Sequence, residues 1–345
     1  MSGSSLDGLD ICFCTFSKSE NGWFYTMPHA ETYEYSVEWR NKLKSASQSN
    51  AKMFVELDKS FGELIGKNVV DFISRHKTGN VDFVASHGHT VFHNPEKNYT
   101  SQIGSGAYIS AVTNVPSITN FRSLDTALGG QGAPLVPIGD ELLFNEFDYC
   151  LNLGGYSNIS YRSNEQRIAY DICPVNKVLN FLAEKEGKEF DKDGEIGKKG
   201  EVIKVLLHDM NDLDYYYQNG PKSLGDEWLQ KEFFEVLNRY SSLKNADMMR
   251  TVYEHIAVQI AKSTYPSKGK KILTTGGGAL NQFLIDCIRK HNSNNIIIPD
   301  KKLIDFKESL IFAFMGALRS ENLINCLASV TGAKKDTSGG IIYHI

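Results

Sequence analysis

The first ten residues combine small side chains with two carboxylates. A Gly/Ser-rich turn exposes backbone N–H groups and hydroxyls, which suit an anion such as a polyphosphate. Its aspartates suit the Mg²⁺ that accompanies a polyphosphate. We therefore predict a phosphate-binding turn at the start of the chain, with Asp7 contacting Mg²⁺ through water. The turn comprises Gly3, Ser4, Ser5, Leu6, Asp7, Gly8, Leu9 and Asp10.

Two later segments repeat this pattern. Gly154-Gly155 lies between two strand-like runs and follows Asn152, and Gly276-Gly277-Gly278 lies between a strand-like run and a helical one that contains Asn281. Glycine lets the backbone come close to a ligand, so two turns could hold a triphosphate while the third approaches its nucleoside. The alternative is that these glycines only connect strands. The lysine of a Walker A loop and the glycine pattern of a Rossmann fold are both missing.

One carboxylate stands where a strand-like run ends. Asp171 follows the run 167–170, a position from which a side chain can project into a cleft. An ionised carboxylate in a cleft suits general-base catalysis. The alternative is that Asp171 caps a helix or forms a turn.

Other polar candidates lie in the first half of the chain and in a late helical run. His87 and His89 share one face of a strand and, with His93, suit either hydrogen bonding to a ligand or a zinc site. Arg122 suits bidentate pairing with a ligand carboxylate, and the alternative is a structural pair with Asp125. Glu308 opens a helical run, which it could simply cap.

The turns and polar residues need elements that bring them together. Apolar periodicity predicts strands near 9–16, 23–27, 31–35 and 81–85, a turn at Asn21-Gly22 and a helix over 50–76. In the second half it predicts strands at 147–153, 157–161, 168–170, 271–275 and 295–298, and helices over 175–185, 201–213, 227–240, 247–263 and 306–319. This is an α/β layout of mixed sheets covered by helices. The length predicts two domains, 1–140 and 141–345, with a C-terminal tail that can pack back on the first.

Composition excludes several classes of function. The 345 residues are 41% hydrophobic and 23% charged, with a net charge of −4, so no basic field is available for nucleic acid. No apolar stretch approaches the roughly 20 residues that cross a bilayer, and the start lacks the features of a signal peptide. The six dispersed cysteines favour free thiols in a reducing compartment. We therefore predict a cytoplasmic protein that binds neither nucleic acid nor membrane.

The motifs resemble those of the anhydro-N-acetylmuramic acid kinases, cytoplasmic enzymes of peptidoglycan recycling and amino sugar catabolism. They run in family order over essentially the whole chain, and the string 121–137 is the most specific. The matching segments are 1–10, 86–93, 102–106, 120–125, 129–137, 152–155 with Asn158 and Ile159, 221–225, 275–279 with Asn281, and 330–333.

The resemblance implies a two-domain actin-like ATPase (ribonuclease H-like) fold with mixed sheets flanked by helices and an interdomain cleft. It implies that ATP, Mg²⁺ and water convert 1,6-anhydro-N-acetylmuramic acid to N-acetylmuramic acid 6-phosphate. Asp171 matches the family's base, and a homodimer is the family-level expectation. The resemblance places seven residues near the sugar: His87, His93, Gln102, Arg122, Asp125, Asn176 and Glu308.

The chain departs from the family pattern at several points. Family members have a short strand before the first Gly-Ser turn, and here Met1 already belongs to that motif. Either the recorded start is too late, or this copy is trimmed and we expect weaker ATP binding. The opening turn has Ser4-Ser5 where Gly-Thr is usual. The segment 171–176 lacks two glycines. Cys173 or Val175 would strain a turn of positive φ, so we expect the backbone to differ locally. Asp226 stands where an arginine is usual.

Two other functions stay open. One is a conventional sugar kinase of the same fold, which would phosphorylate free N-acetylmuramic acid directly. The other is a nucleotide-binding homologue with impaired catalysis, which the departures at the start and in segment 171–176 would favour.

Overall fold

The computed structural model describes residues 1–3 and 6–345 of the chain. Its contacts divide it into two compact units: unit 1 contains Met1–Leu143 and Phe306–Ile345, and unit 2 contains Phe144–Asp305. The sequence analysis placed the boundary at residue 140 and gave the C-terminal residues to the second domain, whereas in the contacts residues 306–345 group with unit 1. Among the described residues, no helix has the length and apolar character to cross a membrane.

The elements alternate as an α/β protein requires. The strands are β1 Gly8–Ser19, β2 Gly22–Glu34, β3 Val84–Ala85, β4 His89–Asn94, β5 Tyr99–Ile103, β6 Ser117–Thr119, β7 Tyr149–Leu153, β8 Tyr156–Ser163, β9 Gln166–Pro174, β10 Lys271–Thr275, β11 Asn295–Ile297 and β12 Ile341–Tyr343. The helices are α1 Val37–Lys44, α2 Ala51–His76, α3 Gly106–Thr113, α4 Ser123–Ala127, α5 Pro137–Leu142, α6 Asn176–Glu184, α7 Lys204–Asn211, α8 Asp226–Trp228, α9 Phe234–Arg239, α10 Asn245–Thr264, α11 Gln282–His291, α12 Lys301–Ser320 and α13 Ala328–Thr331. The predicted α/β class with mixed sheets is confirmed.

Unit 1 begins with the predicted hairpin. β1 and β2 pair antiparallel from Gly8↔Glu34 to Ser19↔Gly22, so the segment predicted as a third strand at 31–35 is the end of β2. β4 and β5 form a second hairpin that the sequence analysis missed. The third sheet has the order β12-β6-β3, with β3 parallel and β12 antiparallel to β6. Only residues 84–85 of the predicted strand 81–85 pair with β6, which is why β3 is short.

Helix α2 covers the hairpin of unit 1, and the predicted helix over 50–76 is confirmed. Asn50 caps it, because its side-chain oxygen accepts a hydrogen bond from the Met53 N–H at 3.0 Å. Its apolar stripe, which includes Phe61 and Ile65, packs in one core with Leu9 of β1. The start of β1 is thereby held against a long helix.

Unit 2 is built on one five-stranded mixed sheet, in the order β11-β10-β7-β8-β9. β10 is parallel to β7 and β11, while β8 pairs antiparallel with both β7 and β9. Helix α10 lies at the centre of the core, and its face of Val252, Ile256 and Ile260 is fully buried. Parallel strands end at the same edge of a sheet, so the segments that follow β7 and β10 must meet there.

Candidate functional site

Two of the predicted glycine turns meet at one edge of the unit 2 sheet. Asn152, near the end of β7, is the register partner of Thr275, the last residue of β10. Gly276 has a φ of 83°, and a Cβ there would lie 2.6 Å from Asn152 Oδ1. Only glycine fits this backbone at this distance. The structure thus brings Asn152 and the Gly154-Gly155 turn together with the Gly276 turn. Gly276 lies more than a hundred residues after Gly155 in the sequence.

Asn176 ties the two turns together. Its Nδ2 donates to the Leu153 carbonyl at 3.2 Å, and a Cβ at Gly278 would lie 3.4 Å from its Oδ1. The Asn176 N–H donates to the Gly154 carbonyl at 3.2 Å. The resemblance assigned Asn176 to the sugar, whereas within unit 2 its observed contacts are with the predicted phosphate-side and nucleoside-side turns.

Asp171 lies in β9, and one of its two carboxylate oxygens accepts a hydrogen bond. Its Oδ2 accepts a hydrogen bond from the Leu224 N–H at 2.9 Å, while its other oxygen has no hydrogen-bond partner among the described residues. Its main chain is also fixed, because the Asp171 carbonyl accepts from the Tyr215 hydroxyl at 2.6 Å. Burial raises the pKa of Asp171, and the Leu224 N–H offsets part of this rise. The arrangement presents one oriented oxygen with raised proton affinity.

The segment after Asp171 resolves the predicted strain. β9 continues to Pro174, with a register shift opposite Ser157 and Asn158, so Asp171 does not end its strand as predicted. Cys173 lies in extended backbone and is fully buried. Val175 has a φ of −127° and is also fully buried. Neither residue has positive φ, because the chain passes directly from β9 into α6 without a glycine turn. The predicted local difference of the backbone is confirmed.

A cavity of about 410 Å³ lies beside the Gly277-Gly278 turn. Asn281 forms its wall and caps α11, since its Oδ1 accepts from the Leu284 N–H at 3.1 Å. Its Nδ2 donates to the Tyr253 hydroxyl at 2.8 Å, and that hydroxyl donates to Asp191 Oδ2 at 3.0 Å. Exposed Phe190 adds an apolar surface. A volume of this size with one apolar wall and few polar groups suits a nucleoside.

A charged cluster adjoins the Gly154-Gly155 turn. The Lys177 ammonium pairs with Asp226 at 2.5 Å and lies 5.3 Å from the centre of the Tyr156 ring, while the Tyr156 hydroxyl donates to Asp226 at 2.7 Å. A Cβ at Gly155 would lie 3.2 Å from the Lys177 side chain. Asp226, which stands where an arginine is usual, is thus neutralised by a lysine that packs on the turn.

In unit 1, the opening turn connects two paired segments. Ser2 and Leu9 form an antiparallel bridge, and the Asp10 N–H donates to the Met1 carbonyl at 2.9 Å. Leu6 has a φ of 56°, and Asp7 Oδ1 accepts from the Gly8 N–H at 3.0 Å. The predicted residues Ser4 and Ser5 lie outside the described residues.

His87 and Arg122 form a direct pair in unit 1. Arg122 Nε donates to His87 Nε2 at 2.8 Å, and His87 Nδ1 lies 2.9 Å from the Gly88 carbonyl. The ring is therefore neutral, with its proton on Nδ1, and burial followed by the Arg122 charge lowers its pKa well below the ordinary range. Arg122 also donates through Nη1 to the Gly132 carbonyl at 2.6 Å.

Asp125 is buried and serves the structure of unit 1. Its Oδ2 accepts from the Gly132 N–H at 2.8 Å, and its Oδ1 accepts from the Thr331 hydroxyl at 2.7 Å and from Cys326 Sγ at 3.2 Å. These donors tie the 129–132 turn to the C-terminal segment. Asp125 therefore positions the turn whose Gly132 carbonyl receives Arg122.

The remaining sugar-side candidates differ in their surroundings. Exposed His93 lies 3.1 Å through Nδ1 from the Thr100 hydroxyl, and Gln102 donates to the same hydroxyl at 2.7 Å. Glu308 lies inside α12 and not at its start, so the interpretation of Glu308 as a helix cap is wrong. Its exposed side chain makes no hydrogen bond or ion pair with the rest of the described chain. Desolvation by nearby protein raises the pKa of Glu308, and the Arg122 charge offsets part of that rise. Glu308 thus lies in a recess close to Arg122.

The zinc alternative finds no support in residues 1–3 and 6–345. No group of three or more His, Cys, Asp or Glu side chains there could hold a metal ion. His87 uses its ring nitrogens on Arg122 and Gly88, and His89 Nδ1 lies 3.3 Å from the Ser2 hydroxyl. The weak Mg²⁺ contact predicted for Asp7 needs no such group, because Mg²⁺ keeps most of its waters and binds the phosphates themselves.

The sequence analysis missed three groups that shape this site. Tyr215 and Leu224 hold Asp171, and Lys177 packs on the Gly155 turn. Leu224 lies in the matching segment 221–225, but no local pattern assigns Leu224 or Tyr215 to Asp171, because each contact spans more than forty residues of sequence. Lys177 had a signal: it follows Asn176 directly in the segment that departs from the family pattern.

The comparisons with known proteins cover the whole chain. The family model described as anhydro-N-acetylmuramic acid kinase matches residues 1–345. The anhydro-N-acetylmuramic acid kinase of Vibrio vulnificus is 31% identical over 361 residues, which cover 99% of this chain and 96% of that protein. The one from Pasteurella multocida is 33% identical over 373 residues, which cover 99% and 95% of the two chains.

Solved structures give weaker likenesses. The activator of the 2-hydroxyisocaproyl-CoA dehydratase from Clostridium difficile, with bound ADPNP, is 12% identical with a TM-score of 0.41, covering 90% of this chain and 97% of that one. Component A of the (R)-2-hydroxyglutaryl-CoA dehydratase from Acidaminococcus fermentans is 13% identical with a TM-score of 0.35, covering 59% and 68%. The full-length family match and the curated relatives, taken with the motifs above, show that the chain belongs to the anhydro-N-acetylmuramic acid kinase family.

Proposed function

We propose that this protein is an ATP-dependent carbohydrate kinase that hydrolytically opens 1,6-anhydro-N-acetylmuramic acid and phosphorylates O6. The product is N-acetylmuramic acid 6-phosphate, an intermediate of peptidoglycan recycling. The protein has an actin-like ATPase fold and acts in the cytoplasm. A homodimer is the expected assembly. Family membership supports each of these statements.

The observation that carries the proposal is the environment of Asp171. A general base must be ionised, oriented and within hydrogen-bond reach of the proton it takes. Leu224 and Tyr215 orient Asp171 and leave one oxygen without a partner among the described residues. Burial raises the pKa of Asp171, which strengthens it as a base.

The reaction assigned to Asp171 balances in atoms and charge. The carboxylate takes one proton from water, and the resulting hydroxide oxygen bonds to the anomeric carbon as the bond between that carbon and O6 breaks. O6 leaves with the electron pair and bonds to the γ-phosphorus of ATP, while ADP departs. The proton on Asp171 returns to solvent. The leaving oxygen must lie in line with the γ-phosphorus for the transfer.

The nucleotide side of the proposal belongs to unit 2. The Asn152, Gly154-Gly155 and Gly276 segments meet at one sheet edge, and a Cβ at Gly276 would collide with Asn152. The backbone N–H groups of such turns suit a phosphate chain. The cavity beside Gly277 and Asn281 would take the adenosine. Lys177 supplies a positive charge next to the Gly155 turn.

The sugar side of the proposal belongs to unit 1. Arg122, oriented by His87 and the Gly132 carbonyl, would bind the lactyl carboxylate of the muramic sugar. His93, Gln102 and Glu308 complete this side. The opening turn with Asp7 would serve the phosphates and their Mg²⁺, which supplies positive charge on the transferred phosphoryl group when bound.

A substrate comparison tests the proposal. The purified protein is incubated with ATP and Mg²⁺ and either the anhydro sugar or free N-acetylmuramic acid, and ³¹P NMR follows the phosphates. The expected result is a sugar phosphate ester, formed together with ADP, from the anhydro sugar alone. Phosphorylation of the free sugar at an equal rate would establish a conventional sugar kinase. Nucleotide binding without any ester would establish an impaired homologue.

A further inference from the structure

Two cysteines of β1 lie side by side. The Cys14 thiol donates to Cys12 Sγ at a sulfur–sulfur distance of 3.5 Å. Both side chains are partly exposed, whereas the four other cysteines are buried: Cys150, Cys173, Cys287 and Cys326. The described chain therefore has one pair of adjacent, accessible thiols.

The strand geometry places the two thiols on one face. Residues two apart in a strand point to the same side, and their Cα atoms are about 6.6 Å apart in extended backbone. A disulfide needs a Cα separation of roughly 4.4–6.8 Å, so the pair lies near the upper limit. The pairing of β1 with β2 shifts register between Phe13 and Thr15. Cys14 stands in this irregular stretch, where the backbone can shorten without breaking the ladder on either side.

A cavity gives small molecules access to the pair. Cys12 and Cys14 line a cavity of about 670 Å³ in unit 1, whose other walls include Phe83 and Phe312. A peroxide or a small thiol is far smaller than this space.

The two thiols are not equivalent. The hydrogen bond to Cys12, followed by burial, raises the pKa of Cys14 far above its ordinary value. Cys14 therefore keeps its proton and acts as the donor. Cys12 accepts that hydrogen bond, and we assign its sulfur as the attacking one.

We propose that Cys12 and Cys14 form a redox-active dithiol, a modification site that peroxides oxidise to an intrastrand disulfide and that small thiols reduce again. The Cys12 thiolate attacks a peroxide oxygen, the O–O bond breaks, and hydrogen peroxide yields Cys12 sulfenic acid and hydroxide. The Cys14 sulfur then loses its proton and attacks the Cys12 sulfur, and water leaves. In sum, two thiols lose two electrons and two protons while one peroxide becomes two waters.

The two thiols are not among the residues assigned to the sugar, to the base or to the nucleotide. The cavity that they line is also lined by Leu9 and Asp10 of the opening turn. A disulfide near the upper limit of Cα separation is strained and hence easily reduced, which suits reversible modification rather than a permanent cross-link.

Mass spectrometry of the folded protein tests the site. The protein is treated with hydrogen peroxide at equal concentration, free thiols are alkylated, and the intact mass and peptides are measured. The expected result is loss of two hydrogen atoms, a link between Cys12 and Cys14, and full reversal by glutathione. Links between two chains, even oxidation across all cysteines, or sulfinic acid at Cys12 without a link would overturn the proposal.

Three variants sharpen this test. Cys14→Ser should trap sulfenic acid at Cys12, detected by dimedone, because the resolving thiol is gone. Cys12→Ser should slow peroxide-dependent thiol loss about tenfold or more, because the retained Cys14 thiol is protonated. Cys287→Ser is the matched control from the buried set and should oxidise like the parent protein. Equal rates for parent and Cys12→Ser would contradict the assigned order of attack, whichever link forms.

Discussion

Replacing Asp171 with asparagine isolates its role as a base. The two side chains have the same shape, and the asparagine Oδ1 can still accept the Leu224 N–H that Asp171 now accepts at 2.9 Å. The Tyr215 hydroxyl bonds to the main chain, so it is unaffected. The substitution therefore removes the charge and the proton acceptor while it leaves the local structure in place.

We expect a large decrease in kcat and no decrease in the free energy of unfolding. A positioned general base contributes about 10²–10⁴ in rate, so kcat should fall by at least that factor, or about 2.7–5.4 kcal/mol. KM for ATP should change less than about threefold, since the base acts on water. Folding stability should be equal or higher. Burial raises the pKa of Asp171, so the stability that Asp171 contributes is fully present when it is protonated and is lost as pH rises through its folded-state pKa. At neutral pH the parent protein bears this cost and the asparagine variant does not.

A coupled assay of ADP release with the anhydro sugar, combined with thermal unfolding, measures both effects. The parent kcat/KM should rise with pH through a pKa above the ordinary aspartate value and then level off, and this limb should vanish in the variant. Asp212→Asn, which changes an exposed carboxylate of the same unit, is the matched control and should leave kcat unchanged. Asp171→Asn with more than a tenth of the parent kcat would refute the base assignment.

Three further perturbations follow from the contacts. Gly276→Ala should raise KM for ATP and lower stability more than Gly187→Ala, because both positions have positive φ but only at Gly276 does the new Cβ meet Asn152 at 2.6 Å. Lys177→Met should raise KM for ATP about tenfold, with a loss of stability below about 1 kcal/mol because the ion pair is partly exposed. Asp125→Asn should lower the free energy of unfolding by about 1–3 kcal/mol. The asparagine NH₂ group would face the Gly132 N–H or the Thr331 hydroxyl, which are hydrogen-bond donors in a buried site.

Isothermal titration with ATP and chemical unfolding check these three. Equal ATP affinity and equal stability of the two glycine variants would show that the close approach at Gly276 does not matter for ATP binding or folding. An unchanged KM for Lys177→Met would place its ammonium away from the phosphates. An Asp125→Asn protein of parent stability would contradict the burial of that carboxylate among donors.

Local patterns predict the elements of this fold better than their pairing. The helix over 50–76 and the strand 271–275 are readable because their periodicity and end signals lie within one segment. The parallel pairing of β7 with β10 joins residues more than a hundred apart, so the meeting of Asn152 with Gly276 depends on topology that no local pattern carries. The β4–β5 hairpin was missed because its short strands carry many polar residues.

In the candidate site, too, the sequence predicts single residues better than their contacts. Asp171 was found through its motif, but its anchors Tyr215 and Leu224 come from a loop with no sequence signal for that role. The missing glycines of segment 171–176 predict that the backbone changes there, but not that it forms an extended strand through Cys173. The sequence allowed Asp125 either to lie near the sugar or to pair with Arg122. Only the structure shows that its oxygens accept from the Gly132 N–H and the Thr331 hydroxyl.

Isotope tracing in H₂¹⁸O tests the central claim most directly. The protein is given ATP, Mg²⁺ and the anhydro sugar in labelled water, and the products are separated and weighed by mass spectrometry, with unlabelled product incubated in the same water to measure exchange. The account predicts one heavy oxygen in the sugar 6-phosphate beyond that exchange, and none in its phosphoryl group, because water attacks carbon and O6 captures phosphorus. Sugar phosphate without the label, or label delivered to inorganic phosphate in place of the sugar, would contradict it.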